Sequence, residues 1–251
     1  MRPPLFSIII PTYNAELLLR PCLDSIICQT YISKEVIIVD SQSSDKTINI
    51  IEEYQKLFPQ LTYVSEPDRG IYDGMNKGIN KATGQWLYFL GSDDCLDNPC
   101  ILEKIARLIE VNKKCKIIYG NVLTSAEYVQ TYKNHDYNKL INLNICHQAI
   151  FYHRSIFNKH GYDLKYTICA DWDLNLKVFR KPNRPLYADI NIAKYNLNGA
   201  SANWTTHPDY LLHFSDKKKL ILRYRSLPYL LYSFSVKLSQ KVRSFIFQNN
   251  D

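Results

Sequence analysis

The stretch Trp86-Leu87-Tyr88-Phe89-Leu90-Gly91-Ser92-Asp93-Asp94 decides how this chain of 251 residues folds. Its first five residues are apolar and rich in aromatics, which is the pattern of a strand buried on both faces of a sheet. Charge is costly to bury, so we expect the two carboxylates to emerge at the carboxyl edge of the sheet, where open α/β sheets bind ligands. Paired carboxylates suit Mg²⁺ or Mn²⁺ together with a phosphate. From these residues alone, a plain turn before a helix capped at Asn98 is an equal alternative.

The chain before this stretch alternates strands with helices. The patterns predict strands over 5–10, 35–40, 61–65 and 86–90, with helices over 15–28 and from about 44 to 58. Pro11 is expected to stop the first strand. This alternation predicts an α/β fold with a largely parallel central sheet flanked by helices. Asp40 ends the second strand and would emerge at the same edge as the acidic pair.

The segment between the third and fourth strands predicts a turn and then a short helix, with Ile71, Met75 and Ile79 on one face. Glycines inside it weaken a free-standing helix by about 1 kcal/mol each. Two interpretations stay open. Either the backbone passes close to another group, for which a ligand is one candidate, or the segment is a surface helix with loose ends.

Several motifs occur together in a specific order. They are Pro11-Thr12-Tyr13-Asn14, Val39-Asp40, Asp68-Arg69-Gly70-Ile71-Tyr72-Asp73-Gly74-Met75-Asn76-Lys77-Gly78 and Ser92-Asp93-Asp94. Each motif alone is weak, but the ordered set resembles the family-2 glycosyltransferases with a GT-A fold. The resemblance is strong over about 5–96 and weaker to about 203.

The resemblance implies a transferase that uses a nucleotide-sugar, typically linked to UDP. Tyr13 would lie near the base ring and Asp40 would accept from an imide N–H. Asp94 would be the direct ligand of Mn²⁺ or Mg²⁺, a role that fits the charge developing on a diphosphate leaving group. By this likeness the donor-binding residues would be Thr12, Tyr13, Asp40, Asp68, Arg69, Asn76, Lys77 and Asp93.

The second half of the chain offers a candidate base in Cys169-Ala170-Asp171-Trp172-Asp173-Leu174. Displacement at an anomeric carbon needs a group that takes the proton of the acceptor hydroxyl. On its own, Asp171 is more simply the N-cap of a helix over 172–179. The resemblance favours Asp171 as the base, although Ala170 stands where family members carry a first acid, so the support of Asp171 is in doubt. Asp173 is the fallback, but it would face away from Asp171.

Histidines offer weaker candidates. His147 and Gln148 resemble acceptor-side residues of some family members, whereas a lone histidine is more often a packed or surface residue. His207 could be a late metal ligand. The remaining histidines carry no pattern.

The net charge of +7 is concentrated at the C-terminus. Residues 217–251 contain eight basic residues and one acidic residue, and the rest of the chain contains 23 of each. We expect a domain over 1–210, with a nucleotide-sugar half to about 98 and an acceptor half after it. A basic amphipathic helical tail over 211–251 would follow, suited to an anionic membrane surface. Helices packed on the domain are the alternative, and no motif favours nucleic acid.

The cysteine pattern and the N-terminus indicate the compartment. The seven cysteines include no Cys-x-x-Cys, which favours reduced thiols over a zinc site or disulfides. The apolar run after Leu5 is too short for a signal peptide. We therefore expect a cytoplasmic protein attached peripherally to the inner face of the membrane.

These observations predict an inverting glycosyltransferase of surface-polysaccharide synthesis. It would move a sugar from a UDP-sugar to a hydroxyl of a glycan or lipid-linked oligosaccharide. A glycosidase also uses two carboxylates, but it does not explain Asp40 or the acidic pair. Processive synthases of the family carry a Gln-x-x-Arg-Trp motif, and this chain has no Arg-Trp dipeptide. The alternative is a non-catalytic nucleotide-sugar-binding protein of the same fold, favoured only by Ala170.

Overall fold

The computed structural model describes residues 4–179, 183–199, 207–209 and 212–213. These residues form an α/β fold with one nine-stranded sheet. The strands are β1 (Phe6–Thr12), β2 (Lys34–Asp40), β3 (Leu61–Ser65), β4 (Trp86–Phe89), β5 (Cys95–Leu96), β6 (Ile117–Thr124), β7 (Val129–Gln130), β8 (Ile150–His153) and β9 (Leu186–Tyr195). The helices are α1 (Leu19–Ile27), α2 (Thr47–Leu57), α3 (Ile71–Lys81), α4 (Ile101–Val111), α5 (Tyr137–Asn142) and α6 (Ala170–Val178), with 3₁₀ turns at His147–Ala149 and Arg154–Ile156.

The first half of the sheet is parallel, as predicted. Its strands lie in the order β3-β2-β1-β4, and every neighbouring pair in that row is parallel. Asp40 ends β2, and the acidic pair follows β4. Because the carboxyl ends of parallel strands meet at one edge, the predicted placement of these acids at a common edge is confirmed.

The second half continues the same sheet with mixed directions. β8 runs antiparallel to both β4 and β6, and β9 runs parallel to β6. The short strand β5 pairs with the end of β9, with Leu96 opposite Ala193. This pairing brings the residues after β9 beside the acidic pair. The sheet therefore continues across the predicted division near residue 98.

Pro11 does not stop β1, contrary to the sequence prediction. β1 continues to Thr12, and Pro11 is the register partner of Val39 in β2. The carbonyl of Ile9 accepts from Leu90 N–H, and residue 11 shares that orientation toward the β4 side. β4 ends at Phe89, opposite Ile9, so no strand residue of β4 lies opposite position 11. The missing N–H of Pro11 therefore costs the sheet no ladder hydrogen bond.

The glycines of α3 are explained by helix–sheet packing, which confirms the first interpretation, a close approach of the backbone, with β1 as the neighbour in place of a ligand. A Cβ placed on Gly78 would lie 2.4 Å from Cγ2 of Ile9 in β1. A Cβ on Gly74 would lie 3.2 Å from Cβ of Pro11. Both glycines are buried. They let α3 approach β1 more closely than a residue with a side chain could, since overpacking of this kind costs about 1–3 kcal/mol.

The predicted tail over 211–251 lies outside the described residues, apart from 212 and 213. Within the described part of the chain, every helix is too short or too polar to cross a bilayer. All seven cysteines are free thiols.

Candidate active site

A cavity of about 740 Å³ opens where the acidic edge of the sheet meets the second half of the chain. Its volume falls in the range of small-molecule sites, roughly 300–1,000 Å³. The walls come from the loops after β1, β4 and β9, the start of α3, the turn at His147–Ala149 and the start of α6. Eight predicted site residues line it: Thr12, Tyr13, Asp68, Asp93, Asp94, His147, Gln148 and Asp171.

Asp94 is the most constrained carboxylate of the cavity. It is 2% exposed, and its two oxygens accept hydrogen bonds from different parts of the chain. Oδ2 accepts from Nε2 of Gln148 at 2.7 Å, and Oδ1 accepts from the backbone N–H of Asn196 at 2.8 Å. Burial, and then the neighbouring charge of Asp93, raise the pKa of Asp94 to about 6. A cation at this position would therefore be favourable.

Gly91 makes room for the acidic pair. A Cβ on Gly91 would lie 2.6 Å from Oδ2 of Asp94 and 2.7 Å from Oδ1 of Asp93. The backbone N–H of Asp94 donates to the carbonyl of Gly91 at 3.1 Å, which closes a tight turn. Both carboxylates thus lie over a position that only glycine can occupy without displacing them.

The residues present fit a divalent cation that brings further ligands of its own. No group of three or more His, Cys, Asp or Glu side chains in the described ranges could hold a metal alone. Asp93 and Asp94 offer hard oxygen atoms at the cavity wall. Magnesium-type sites often use one or two carboxylates and complete their shell with substrate phosphates and water.

Asp171 is held from one side. It lies in the first turn of α6 and is 6% exposed. Its Oδ1 accepts from the backbone N–H of Trp172 at 2.7 Å and lies 3.0 Å from the hydroxyl of Tyr72, whose proton is shared with the Ile168 carbonyl, also at 3.0 Å. Burial, and then the charge of Asp171, raise the pKa of Tyr72 well above its ordinary value, so Tyr72 stays a donor. These contacts supply the support that Ala170 had put in doubt.

The other oxygen of Asp171 faces His147. Oδ2 lies 3.6 Å from Nδ1 of His147, which is too long for a hydrogen bond. The helix begins at Ala170, so Asp171 is not its N-cap as one prediction had it. Asp171 lines the cavity, and Oδ2 is the oxygen that the contacts with Tyr72 and Trp172 leave open.

The family model of Glycosyl transferase family 2 matches residues 7–181. The chain belongs to this family. It is 37% identical over 227 residues to the "PGL/p-HBAD biosynthesis glycosyltransferase" of Mycobacterium tuberculosis, with 89% of each chain covered. It is also 27% identical over 187 residues to the chondroitin synthase of Escherichia coli, covering 70% of this chain and 27% of that protein. The protein is thus a glycosyltransferase with relatives in glycan biosynthesis.

Solved structures confirm the GT-A type of fold. Staphylococcus aureus TarS 1–349 in complex with UDP-GlcNAc superposes with a TM-score of 0.72 at 20% identity, over 86% of this chain and 65% of that one. The Pyrobaculum calidifontis mannosyltransferase PcManGT, in complex with GDP-Man and Mn²⁺, gives 0.64 at 17% identity, over 96% and 81%. The chain spans about two thirds of the TarS structure.

Asp40 does not reach the cavity of this glycosyltransferase. It is fully buried, and both of its oxygens are engaged. Oδ2 accepts from Ser43 N–H at 3.0 Å and Ser65 Oγ at 2.6 Å, and Oδ1 accepts from Ser43 Oγ at 2.5 Å. In this arrangement Asp40 cannot make the predicted contact with the base of the nucleotide. Asp40 instead fixes the loop after β2, where Ser41 lines the cavity.

Asn76, Lys77 and Arg69 also lie outside the cavity, which differs from their predicted roles. The amide of Asn76 donates to the carbonyl of Tyr162 and accepts from its N–H, both at 2.9 Å. Lys77 Nζ lies 3.1 Å from Glu66 Oε1 and donates to the Pro67 carbonyl. The side chain of Arg69 is 75% exposed and lies beside Asp73. α3 is thus anchored by these side chains.

Asp173, the fallback base, does not line the cavity either. Its Oδ2 pairs with Nζ of Lys177 at 2.5 Å one helical turn away. His207 is placed beside Asp209, whose N–H donates to its Nδ1 at 3.2 Å. Asp209 in turn accepts from Thr167 and Ile168, in the loop before Asp171.

Asn196 and Tyr72 are the site residues that sequence reasoning missed. Asn196 reaches the acidic pair only because β9 pairs with β5, and no local motif marks that pairing. Tyr72 lies inside the family segment Asp68–Gly78, but its contact with Asp171 joins residues 99 positions apart. The pattern of Asp68–Gly78 predicts the helix, but the contact between Tyr72 and Asp171 is evident only from the fold.

Replacing Asp94 with asparagine should stabilise the protein in a pH-dependent way when no divalent cation is present. The native pKa of about 6 exceeds the ordinary value of 3.8, so the native state holds a proton that the unfolded chain releases. Wild-type stability therefore falls as the pH rises from about 4 to 6, by at most about 3 kcal/mol. The uncharged amide of the variant would carry no such penalty.

Urea unfolding from about pH 4.5 to 7.5 in EDTA measures this gap. The free energy of unfolding of Asp94→Asn, relative to wild type, should increase toward neutral pH. Asp97→Asn, an acid outside the cavity wall, is the matched control. A gap for Asp94→Asn that stays constant with pH would contradict this description of Asp94.

Proposed function

We propose that this glycosyltransferase moves a sugar from a UDP-sugar to a hydroxyl of a glycan or lipid-linked oligosaccharide, with inversion at the anomeric carbon. The observation that carries the proposal is a single cavity lined by both the acidic pair and Asp171. The pair suits a cation beside a diphosphate, and Asp171 suits a base beside an acceptor. The same cavity thus holds one group for the leaving diphosphate and another for the attacking acceptor hydroxyl.

The donor would bind along the first half of the sheet. Tyr13 is 66% exposed at the cavity wall, so its ring is available to pack on a base. Thr12 and Asp68 line the same part of the wall. Asp93 and Asp94 would hold Mn²⁺ or Mg²⁺, which when bound would neutralise charge on the leaving diphosphate. UDP is preferred because TarS binds UDP and UDP-GlcNAc, and GDP is the rival because PcManGT binds GDP-Man.

The base chemistry follows from the two sides of Asp171. Oδ1 is held by Tyr72 and the Trp172 N–H, which leaves Oδ2 to take the proton of the acceptor hydroxyl. The acceptor oxygen then bonds to the anomeric carbon as the bond to the diphosphate breaks. With one displacement and one base, an α-linked donor gives a β-linked product.

The donor class can be tested by thermal stabilisation with UDP, GDP, CDP and dTDP, each with and without Mn²⁺. A ligand at about a hundredfold its Kd stabilises by about 2.7 kcal/mol. We expect a manganese-dependent shift in Tm with UDP that exceeds the shift with the other three. A larger shift with GDP would replace the donor, and no shift with any nucleotide would contradict the proposal.

The base can be tested with Asp171→Asn. This variant should keep manganese-dependent UDP binding and lose transfer by about 10²–10⁴-fold, because the amide cannot take the proton. UDP release from UDP-hexoses with a screened glycan acceptor measures transfer. Asp173→Asn, two residues along and paired with Lys177, is the matched control and should retain transfer. Wild-type turnover in Asp171→Asn would place the base elsewhere.

We further propose that residues after about 215 attach the protein to the anionic inner face of a membrane. Support comes from the sequence, in which residues 217–251 hold eight basic residues and one acidic one among Leu, Ile, Tyr and Phe. Such attachment would bring the cavity to a lipid-linked acceptor. These residues lie outside the described structure.

Deleting residues 216–251 should abolish co-sedimentation with phosphatidylglycerol vesicles. Phosphatidylcholine vesicles are the control, and neither form should bind them strongly. Manganese-dependent UDP binding by the truncated protein would verify that the domain is intact. Unchanged sedimentation with the anionic vesicles would show that the tail is not the attachment site.

A further inference from the structure

The acidic pair is oriented by donors that come from far along the chain. Gln148 lies 54 residues after Asp94, and Asn196 lies 102 residues after it. Asn196 contacts both acids, because its N–H donates to Asp94 and its Nδ2 donates to Oδ2 of Asp93 at 3.3 Å. Two like charges beside each other repel, and these donors offset part of that repulsion.

Gln148 is itself held in place by the strand that leads to the pair. The hydroxyl of Tyr88, in β4, donates to the carbonyl of Gln148 at 2.9 Å. Tyr88 is fully buried and stacks on Phe151 with ring centroids 4.4 Å apart. Asp94 follows the end of β4, and Tyr88 of the same strand anchors the backbone of Gln148, the residue that contacts Asp94.

The amide nitrogen of Gln148 donates to Asp94, whereas its amide oxygen makes no hydrogen bond among the described residues. A carboxylate only accepts hydrogen bonds, so the NH₂ group must face Asp94. Its Oε1 is buried and has no partner among the described residues, and the same holds for Nε2 of His147 in the same turn. The Nε2 contact with Asp94 gives Gln148 a role beside the acidic pair in addition to the predicted role toward the sugar acceptor, which stays a prediction.

We propose that Gln148 and Asn196 are positioning residues that hold the Asp93–Asp94 pair in the orientation in which it binds the cation of the nucleotide-sugar. This inference rests on the proposed function, because it takes that cation as the ligand of the pair. Partners of metal-binding carboxylates typically contribute 10–100-fold to metal affinity. The cation site is thereby assembled from both halves of the chain.

The test is the affinity for UDP measured by calorimetry with Mn²⁺ and, separately, with EDTA. Gln148→Met keeps the length of the side chain and removes the donor. We expect about 10–100-fold weaker UDP binding with Mn²⁺ and a change of less than about twofold in EDTA. A residue that merely stabilised the fold would not separate these two affinities. Gln130→Met is the matched control, because Gln130 lines the same cavity but donates to Tyr132.

Asn196→Ala provides a second, independent arm. It removes the contact with Asp93 and the hydrogen bond that Asn196 Oδ1 accepts from the Asn198 N–H, and it keeps the backbone N–H on Asp94, so we expect a smaller loss, on the order of 3–10-fold. Asn198→Ala, two residues on in an exposed position, is its control. If Gln148→Met does not fold, Asn196→Ala decides, and an unchanged affinity overturns the inference.

The wild-type protein separates this inference from the proposed function. Manganese-dependent UDP binding in the wild type that weakens about 10–100-fold in Gln148→Met supports both the proposed function and the positioning role. Dependence that persists in Gln148→Met within about twofold of wild type overturns the positioning role alone. Absence of manganese-dependent UDP binding in the wild type overturns the proposed function and this inference with it.

Discussion

The structure depends on a carboxylate that is buried where a strand ends. Asp94 is withdrawn from water, and burial raises its pKa to about 6. Its two hydrogen bonds partly offset that cost, and both come from segments that only tertiary folding can deliver. A cation would offset the remainder. The sheet order, the β5–β9 pairing and the turn at His147–Ala149 are all needed to assemble this environment.

The two halves of the chain meet at the cavity with different kinds of support. On the donor side, Gly91 leaves space for the acidic pair, and Asn196 reaches across to it. On the opposite side, Tyr72 and the Trp172 N–H contact one oxygen of Asp171, the proposed base. Tyr72 belongs to α3, so a helix of the first half of the chain supports a carboxylate of the second half. From the family resemblance alone, the support of Asp171 was in question, because Ala170 replaces the neighbouring acid that family members carry.

The sequence predicted most of the fold and the acids of the site, because these depend on local patterns. Buried apolar runs located β1, β2 and β4, and their shared edge located Asp94. Local patterns failed where a polar residue serves the scaffold. Asn76 and Asp68 lie in the same motif, but Asp68 lines the cavity whereas the amide of Asn76 binds the backbone of Tyr162. Asp40 ends a strand as predicted, yet nearby serines satisfy it completely.

Long-range contacts account for what could not be predicted. The contact between Gln148 and Asp94 spans 54 residues, and nothing in the two local motifs encodes it. The glycines of α3 indicate either a close approach of the backbone or loose ends when only the sequence is considered, and the structure shows that Gly78 packs closely against Ile9. In both cases the residue type was informative, and its partner became known only from the sheet.

The proposed role of the acidic pair is to bind the cation of a nucleotide-sugar. Crystals soaked with UDP and Mn²⁺, with data collected at the manganese absorption edge, would test it most directly. We expect an anomalous peak about 2.0–2.3 Å from a carboxylate oxygen of Asp94, with the diphosphate on its other side. A bound UDP with no peak near Asp93 or Asp94, or a manganese ion held elsewhere in the cavity, would contradict it.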